Sequence, residues 1–365
     1  MGRHRQVRRH RAGVGDPMAL YVSAAEAKQL LGIPDSLRIV EQAFAEYGRE
    51  RVVSSVPSAS YMLVQNEAPT MFWIKSASLR PLGAAGVFFG AQFGDYYFMV
   101  TDSRTGTMRG IVEQAWLTKR RTGTTGVVAA RKLAGPNARV AALIGAGLIG
   151  EEVARVLPHA FALDDFRVAS RTYEGASAFV ERLKAQTGAP MRAVATAEEA
   201  VRGADIVITI TLASEAFVKP GWLKEGAVLV SMGGVPEVEF GVLAEIDRLV
   251  VDDPDYALLK GDLATWVDRG HISQPAMKER IDADLGEVMC GAKPGRRSPS
   301  ERILAIVQGM AVCDLATAVF LLDKAETEGV GQSIVVTPQM EIPALDKMQP
   351  RAQAISSGIQ RRRPG

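Results

Sequence analysis

The chain has 365 residues, enough for two domains of ordinary size, and 47% of them are hydrophobic, so a packed core is expected. Its net charge of +2 hides a contrast: Arg3, Arg5, Arg8, Arg9 and Arg11 lie near the start and Arg361, Arg362 and Arg363 near the end, and without these eight charges the body carries −6. A nucleic-acid partner therefore has no electrostatic footprint outside the two ends, and no apolar run approaches the ~20 residues that span a bilayer.

Residues 1–17 lack the apolar stretch of a signal peptide and are expected to form a disordered leader, with Met18-Ala-Leu-Tyr-Val as an alternative start. Ser23-Ala-Ala-Glu26 has the form of a capping box and predicts a short helix. Asp35 or Ser36 is expected to cap a second helix with Leu37, Val40, Phe44 and Tyr47 on one face. Strands are predicted at 61–64, 71–75, 96–101 and 108–113, the last two joined by the turn Asp102-Ser-Arg-Thr-Gly106. Thr118 opens a helix that ends near Leu133, before Gly135-Pro136.

From Ala138 the pattern changes to alternating strand and helix, with strands at 139–144, 165–169, 191–195, 204–210, 227–232 and 248–252. That alternation is the signature of a parallel sheet. A long helix is predicted from the capping box Ser298-Pro-Ser-Glu301 to about Gly329, returning to the N-terminal part. The expected fold class is α/β, a Rossmann-type parallel-sheet domain (136–298) inserted in an α+β domain (18–135 plus 299–335). A loose tail (336–365) follows.

The most informative segment is Val140-Ala-Ala-Leu-Ile-Gly145-Ala146-Gly147-Leu148-Ile149-Gly150, a strand, a glycine turn and the start of an amphipathic helix. In that context Gly-x-Gly-x-x-Gly predicts dinucleotide binding. Gly145 permits the turn, Gly147 lets a pyrophosphate approach the backbone, and Gly150 lets helix and strand pack closely. The pyrophosphate would rest on the free N–H groups of the helix from about Leu148. Ser170-Arg171-Thr172 follows the next strand, where an NAD enzyme usually has an acid for the ribose. A guanidinium there suits a 2′-phosphate, so NADP(H) is favoured over NAD(H). Thr209 and Met232, at two further strand ends, are assigned to the cofactor as well, because ligands of open α/β sheets bind at that edge.

The two cysteines, Cys290 and Cys313, read as buried reduced thiols, and with no secretion signal the cytoplasm is the default compartment. Four scattered histidines make no metal-ligand spacing, so no metal is expected.

Leu117-Thr118-Lys-Arg-Arg121-Thr122-Gly-Thr-Thr, then Leu133-Ala, then Ile144-Gly-Ala-Gly, resembles the ornithine cyclodeaminase/mu-crystallin family. So does Gly286-Glu-Val-Met-Cys-Gly-Ala-Lys-Pro-Gly295-Arg296-Arg-Ser298, followed by Gly309-Met-Ala-Val-Cys-Asp314. The likeness covers about residues 20–335. It implies a homodimer built through the non-Rossmann domain, NAD(P)(H), and chemistry on an amino acid, imino acid or cyclic ketimine. It also implies that Lys75 and Arg121 are catalytic. A guanidinium is a natural clamp for an α-carboxylate, and a lysine among Phe72, Trp73 and Ile74 can assist proton transfer or hold the same carboxylate. On composition alone, Arg121 also reads as a surface ion pair on a basic helix. Two family residues are missing. The arginine expected near position 57 is Ser58, with Arg80 as a conceivable replacement, and the acid expected after the Gly-Gly turn is Val235, with Glu237 or Glu239 as conceivable replacements. The resemblance thus implies an oxidoreductase transferring hydride at the α-carbon. A cyclodeaminase that turns ornithine into proline and ammonia with recycled NAD, and a non-catalytic NADP(H)-binding protein, remain as alternatives.

Overall fold

The computed structural model describes residues 18–55, 59–64, 70–91 and 94–336. The leader 1–17, Ser58 and the tail from 337 lie outside the described residues. After strand β1 (Met18–Val22), helix α1 (Ala24–Leu30) starts on the expected capping box, Ser23 accepting from the Glu26 N–H and Glu26 from the Ser23 N–H. Helix α2 (Ile33–Gly48) starts earlier than expected, at an N-cap Gly32, with proline in its first turn. Ser36 is therefore not a cap. It is buried inside the helix, 2.8 Å from the hydroxyl of Thr124.

Next come β2 (Val52–Ser54), β3 (Ser60–Val64), β4 (Thr70–Leu79), β5 (Ala84–Ala91), β6 (Tyr96–Asp102) and β7 (Met108–Glu113). They form a sheet in the order β1-β7-β6-β5-β4-β2, with β3 also on β4. β1 and β7 are parallel and the other neighbours antiparallel. β5 carries glycines that weaken a strand reading, but a Cβ on Gly86 would lie 2.3 Å from the Phe98 ring and one on Gly90 2.4 Å from the Tyr96 ring. The glycines make room for aromatic side chains on the neighbouring strand.

Helix α3 (Leu117–Leu133) leads into β8 (Val140–Ile144), α4 (Leu148–Ala160), β9 (Asp165–Ala169), α5 (Tyr173–Thr187), β10 (Met191–Ala193), α6 (Ala197–Val201), β11 (Ile206–Thr209) and β12 (Val228–Ser231). The chain continues through β13 (Arg248–Val251), α7 (Pro254–Ala257), α8 (Gly261–Asp268), α9 (Gln274–Arg280), β14 (Ala283–Asp284), α10 (Leu285–Met289), β15 (Ile303–Ile306), α11 (Ala311–Glu328) and β16 (Gln332–Val335). The second sheet is parallel throughout, in the order β10-β9-β8-β11-β12-β15-β13-β14. Its central strands are short apolar runs buried on both faces, as a sheet covered on both sides requires.

One element departs from expectation. No helix starts at Ser298. Glu301 does accept the Ser298 N–H, but the chain then enters β15, fully buried between β12 and β13. The segment 299–310 therefore belongs to the parallel sheet and its loop, and the helix begins only at Ala311. α11 packs on β4, β5, β6 and α2, and an Arg109–Asp323 ion pair joins it to β7. Residues Leu20–Gln332 make one compact unit containing both sheets. Among the described residues no helix is long and apolar enough to cross a membrane.

Candidate active site

The glycine turn combines two sterically required glycines with one open backbone position. Gly145 has φ +125°, and a Cβ on it would sit 2.1 Å from the Ile210 carbonyl oxygen. A Cβ on Gly150 would sit 2.0 Å from the Gly145 oxygen. Both glycines are thus demanded by the fold. At Gly147, by contrast, a Cβ would meet nothing within 4 Å, and Gly147 caps α4 without any side-chain hydrogen bond. Ala146 and Ile149 are half-buried, while Leu148 is exposed. An open backbone surface beside free helix N–H groups fits a dinucleotide pyrophosphate.

At the end of β9 the Ser170 hydroxyl donates to the Thr172 carbonyl, and the Thr172 hydroxyl accepts from the Gly175 N–H to cap α5. Arg171 is exposed and makes no hydrogen bond or ion pair among the described residues. Thr209 and Met232 are buried. Thr209 donates to Glu237 over 2.7 Å, and the Met232 sulfur packs on Gly126 of α3.

The predicted catalytic pair comes together at one backbone residue, Gly309, in the loop after β15. Lys75, buried at mid-β4, donates from Nζ to the Gly309 carbonyl at 3.2 Å. Arg121, buried on α3, lies so near that a Cβ on Gly309 would be 2.6 Å from its Nη1. The Gly309 N–H donates to Asp252 at 2.6 Å, beside the Gln308 N–H at 2.8 Å. Gly309 itself sits at φ +90°, a conformation glycine adopts without strain. The ion pair of Arg121 is not on the surface: Nε meets Asp314 at 2.5 Å in the first turn of α11, and Asp314 is fully buried. Arg121 Nη1 is buried without a hydrogen-bond partner. A guanidinium N–H held so is an open position for an acceptor.

The electrostatics follow from burial. Desolvation, with the Arg121 charge, brings Lys75 down to about 7. Desolvation raises the Asp252 carboxyl to about 6 despite its backbone donors. Burial pushes the Cys313 thiol up to about 12, so this neighbour is not a nucleophile. Lys75 Nζ lies 5.2 Å from the ring centre of Tyr256, whose hydroxyl is 2.7 Å from that of Tyr61. Strand alternation sends Phe72 and Ile74 to the other face, where Phe72 stacks on Phe89, so only Trp73 of the expected enclosure shares the side of Lys75.

A second buried acid cluster lies under the loops after β11 and β12. Glu237 accepts from Thr209, from the Thr211 N–H and hydroxyl, and from the Gly233 N–H. Asp262 accepts from the Glu237 and Val238 N–H groups. The Ser231 hydroxyl is 2.5 Å from Asp262 and 3.1 Å from Glu237, and its single hydrogen serves only one of them. Burial raises the Asp262 carboxyl to about 7. Glu237 thus fastens two loops together and is no free acid. Glu239 is a half-buried N-cap, and Arg80 is exposed on the short 3-10 turn beyond β4, five residues from Lys75. Among the described residues no cluster of His, Cys, Asp or Glu could hold a metal ion.

Sequence reasoning missed Asp252, Tyr256, Lys260 and the hub role of Gly309. The only local signal was an acid immediately after a buried strand at the ligand-binding edge of the sheet.

Fold and site define an α/β protein with a Rossmann-type parallel sheet and two buried cations, Lys75 and Arg121, meeting at the loop after β15. The sequence pattern of the ornithine cyclodeaminase/mu-crystallin family matches residues 90–329, and the chain belongs to that family. It is 29% identical over 329 residues to a Δ1-pyrroline-2-carboxylate reductase of Bacillus cereus, covering 86% of this chain and 99% of the relative. An archaeal alanine dehydrogenase dimer with bound NAD is 25% identical with a TM-score of 0.77, over 87% of this chain and 99% of that one. The fold is also that of the Thermococcus litoralis Δ1-pyrroline-2-carboxylate reductase in complex with NADH and L-proline, with TM-score 0.78 and 24% identity over 86% of this chain and 100% of that one.

Proposed function

We propose that the protein is an NAD(P)-dependent oxidoreductase that interconverts a small α-amino acid and its imine, or reduces a cyclic ketimine carrying an α-carboxylate. The observation that carries this reading is the buried, unpartnered Nη1 of Arg121 beside Lys75 at Gly309. Gly145, Gly147, Gly150 and the start of α4 hold the pyrophosphate. When bound, the nicotinamide supplies the hydride that converts C=N to CH–NH. Arg121 clamps the substrate carboxylate and so fixes the α-carbon. Lys75, close to neutrality in its affinity for protons, gives a proton to the imine nitrogen and takes it back in the reverse direction. The likeness to the Bacillus cereus reductase along nearly the whole relative supports this chemistry.

The free Arg171 guanidinium supports NADP(H) over NAD(H). The first sheet with α11 serves as the substrate and dimer module, and the parallel sheet, including β15, as the cofactor module. Val53, Ile74, Phe89 and Met99 are exposed large apolar residues of that first sheet, and a second copy covering them supports the homodimer. Two unpaired cysteines suit the reducing cytoplasm.

The test is to add NADPH or NADH with a panel of 2-oxo acids and amines, with Δ1-pyrroline-2-carboxylate, and with ornithine. Stoichiometric cofactor oxidation with an imine supports the reading. Ammonia and proline from ornithine without net cofactor change would establish a cyclodeaminase instead, and cofactor binding with no turnover a binding protein.

A further inference from the structure

Lys260, at the N-cap of α8, is a cation of this site with no assigned task. Its Nζ makes no hydrogen bond or ion pair among the described residues. The side chain is half-buried, and its stem lies on the loop after β12: a Cβ on Gly234 would be 2.2 Å from Cε and 2.9 Å from Nζ. A bare backbone at Gly234 is what gives the lysine this position. Its Nζ lies 5.9 Å from the centre of the same Tyr256 ring that Lys75 approaches at 5.2 Å. The charges of Lys260 and Arg121 both act on Lys75, and burial depresses the proton affinity of Lys260 itself.

Most oxygens of the nearby carboxylates are already engaged, Asp314 Oδ2 being the exception. Asp314 holds Arg121. Asp252 accepts the N–H groups of Gln308, Gly309 and Asp253. Glu237 and Asp262 are filled by the hydroxyls and amides of their own loops. A substrate arriving with a second ammonium group would find, among these carboxylates, only the fully buried Asp314 Oδ2 without a partner, and would face an unpaired lysine. A substrate with a second acidic group would find a partly desolvated cation waiting, apart from the Arg121 position that takes the first carboxylate.

We propose that Lys260 receives a second acidic group of the substrate, so that the enzyme acts on the imine of a dicarboxylic 2-oxo acid in preference to a monocarboxylic or basic one. This rests on the oxidoreductase reading for the reaction and on Lys260 alone for the choice of substrate. Tyr256, tied at its hydroxyl to Tyr61, is the fixed wall against which both lysines are set.

The experiment is calorimetric titration of the cofactor-loaded protein with L-malate, 2-hydroxyglutarate and L-lactate, for the wild type and for Lys260→Gln. Turnover of oxaloacetate, 2-oxoglutarate and pyruvate with ammonia is measured in parallel. A charged hydrogen bond gained in a partly desolvated site should make one dicarboxylate bind roughly tenfold or more tighter than lactate. Lys260→Gln should weaken the dicarboxylate far more than lactate and so remove most of that preference. Equal binding of lactate and both dicarboxylates, or an equal loss for all three in the variant, overturns the proposal. If malate binding depends on Lys260 but no imine is reduced, the contact stands and the reaction reading falls. If only monocarboxylic imines are reduced, with no effect of the variant, the reaction stands and the contact falls.

Discussion

Replacing Lys75 with methionine tests whether this lysine is as desolvated as its surroundings imply. Its folded pKa is about 7 against the ordinary 10.5. Across that interval the unfolded lysine holds a proton that the folded one has released. The unfolded state thus binds more protons, and stability rises with pH. The slope approaches about 1.4 kcal/mol per pH unit, and with the group still partly titrating near neutrality its cost falls by about 2 kcal/mol between about pH 7.5 and 9. Asp252 and Asp262 have the opposite sign: their raised pKa values, about 6 and about 7, cost stability as pH climbs toward those values, with little further change above them. Lys260 also has a depressed pKa but is present in both proteins, so it cancels in the comparison. Urea unfolding of wild type and Lys75→Met, without cofactor and at one protein concentration, reads the difference. The advantage of the methionine variant should shrink by about 2 kcal/mol from pH 7.5 to 9. Parallel pH curves would mean that the lysine is not desolvated, and the proton-transfer role argued from that property would go with it.

Arg121→Ala should lower kcat/KM by at least ~2 kcal/mol through loss of the carboxylate clamp, and stability by about 3 kcal/mol through the stranded Asp314 charge. Adding Asp314→Asn should restore most of the stability and none of the activity, and recovery of both would show that Arg121 only holds the fold. Gly147→Ala should leave the melting temperature unchanged and weaken cofactor binding, since its Cβ meets open space, whereas Gly150→Ala should destabilise the protein by driving a Cβ onto the Gly145 oxygen; similar thermal shifts for the two would contradict the open cradle. Arg171→Ala should weaken NADPH far more than NADH in a fluorescence titration, and equal losses would remove the 2′-phosphate assignment.

The parts of this molecule that were legible in its sequence are those whose cause is local. The Gly145–Gly150 turn has a local sequence signature, although the Ile210 carbonyl of another strand end is what demands Gly145, and the strands of the parallel sheet announce themselves as short apolar runs between helices. Two capping boxes separate local from global causes. At Ser23 the local hydrogen bonds are followed by a helix because the next turn has an apolar face to bury. At Ser298 only the backward hydrogen bond to Glu301 forms, at 3.3 Å, and Ile303–Ile306 is more deeply buried as a strand between β12 and β13 than one face of a helix could be. Tertiary burial overrides the cap. The candidate site was half legible for the same reason. Lys75 and Arg121 could be named from a family pattern, but their meeting point is set by Gly309, whose N–H, carbonyl and missing side chain serve Asp252, Lys75 and Arg121 at once. Nothing adjacent to Gly309 in the chain specifies those three partners. Lys260 is the sharper case: in sequence it is one lysine before a glycine, and only the bare Gly234, the shared Tyr256 ring and the engagement of the nearby carboxylates turn it into a candidate for substrate choice. Specificity in such a site is a property of which charges are left unpaired once the fold has paired the rest, and that remainder exists only in three dimensions.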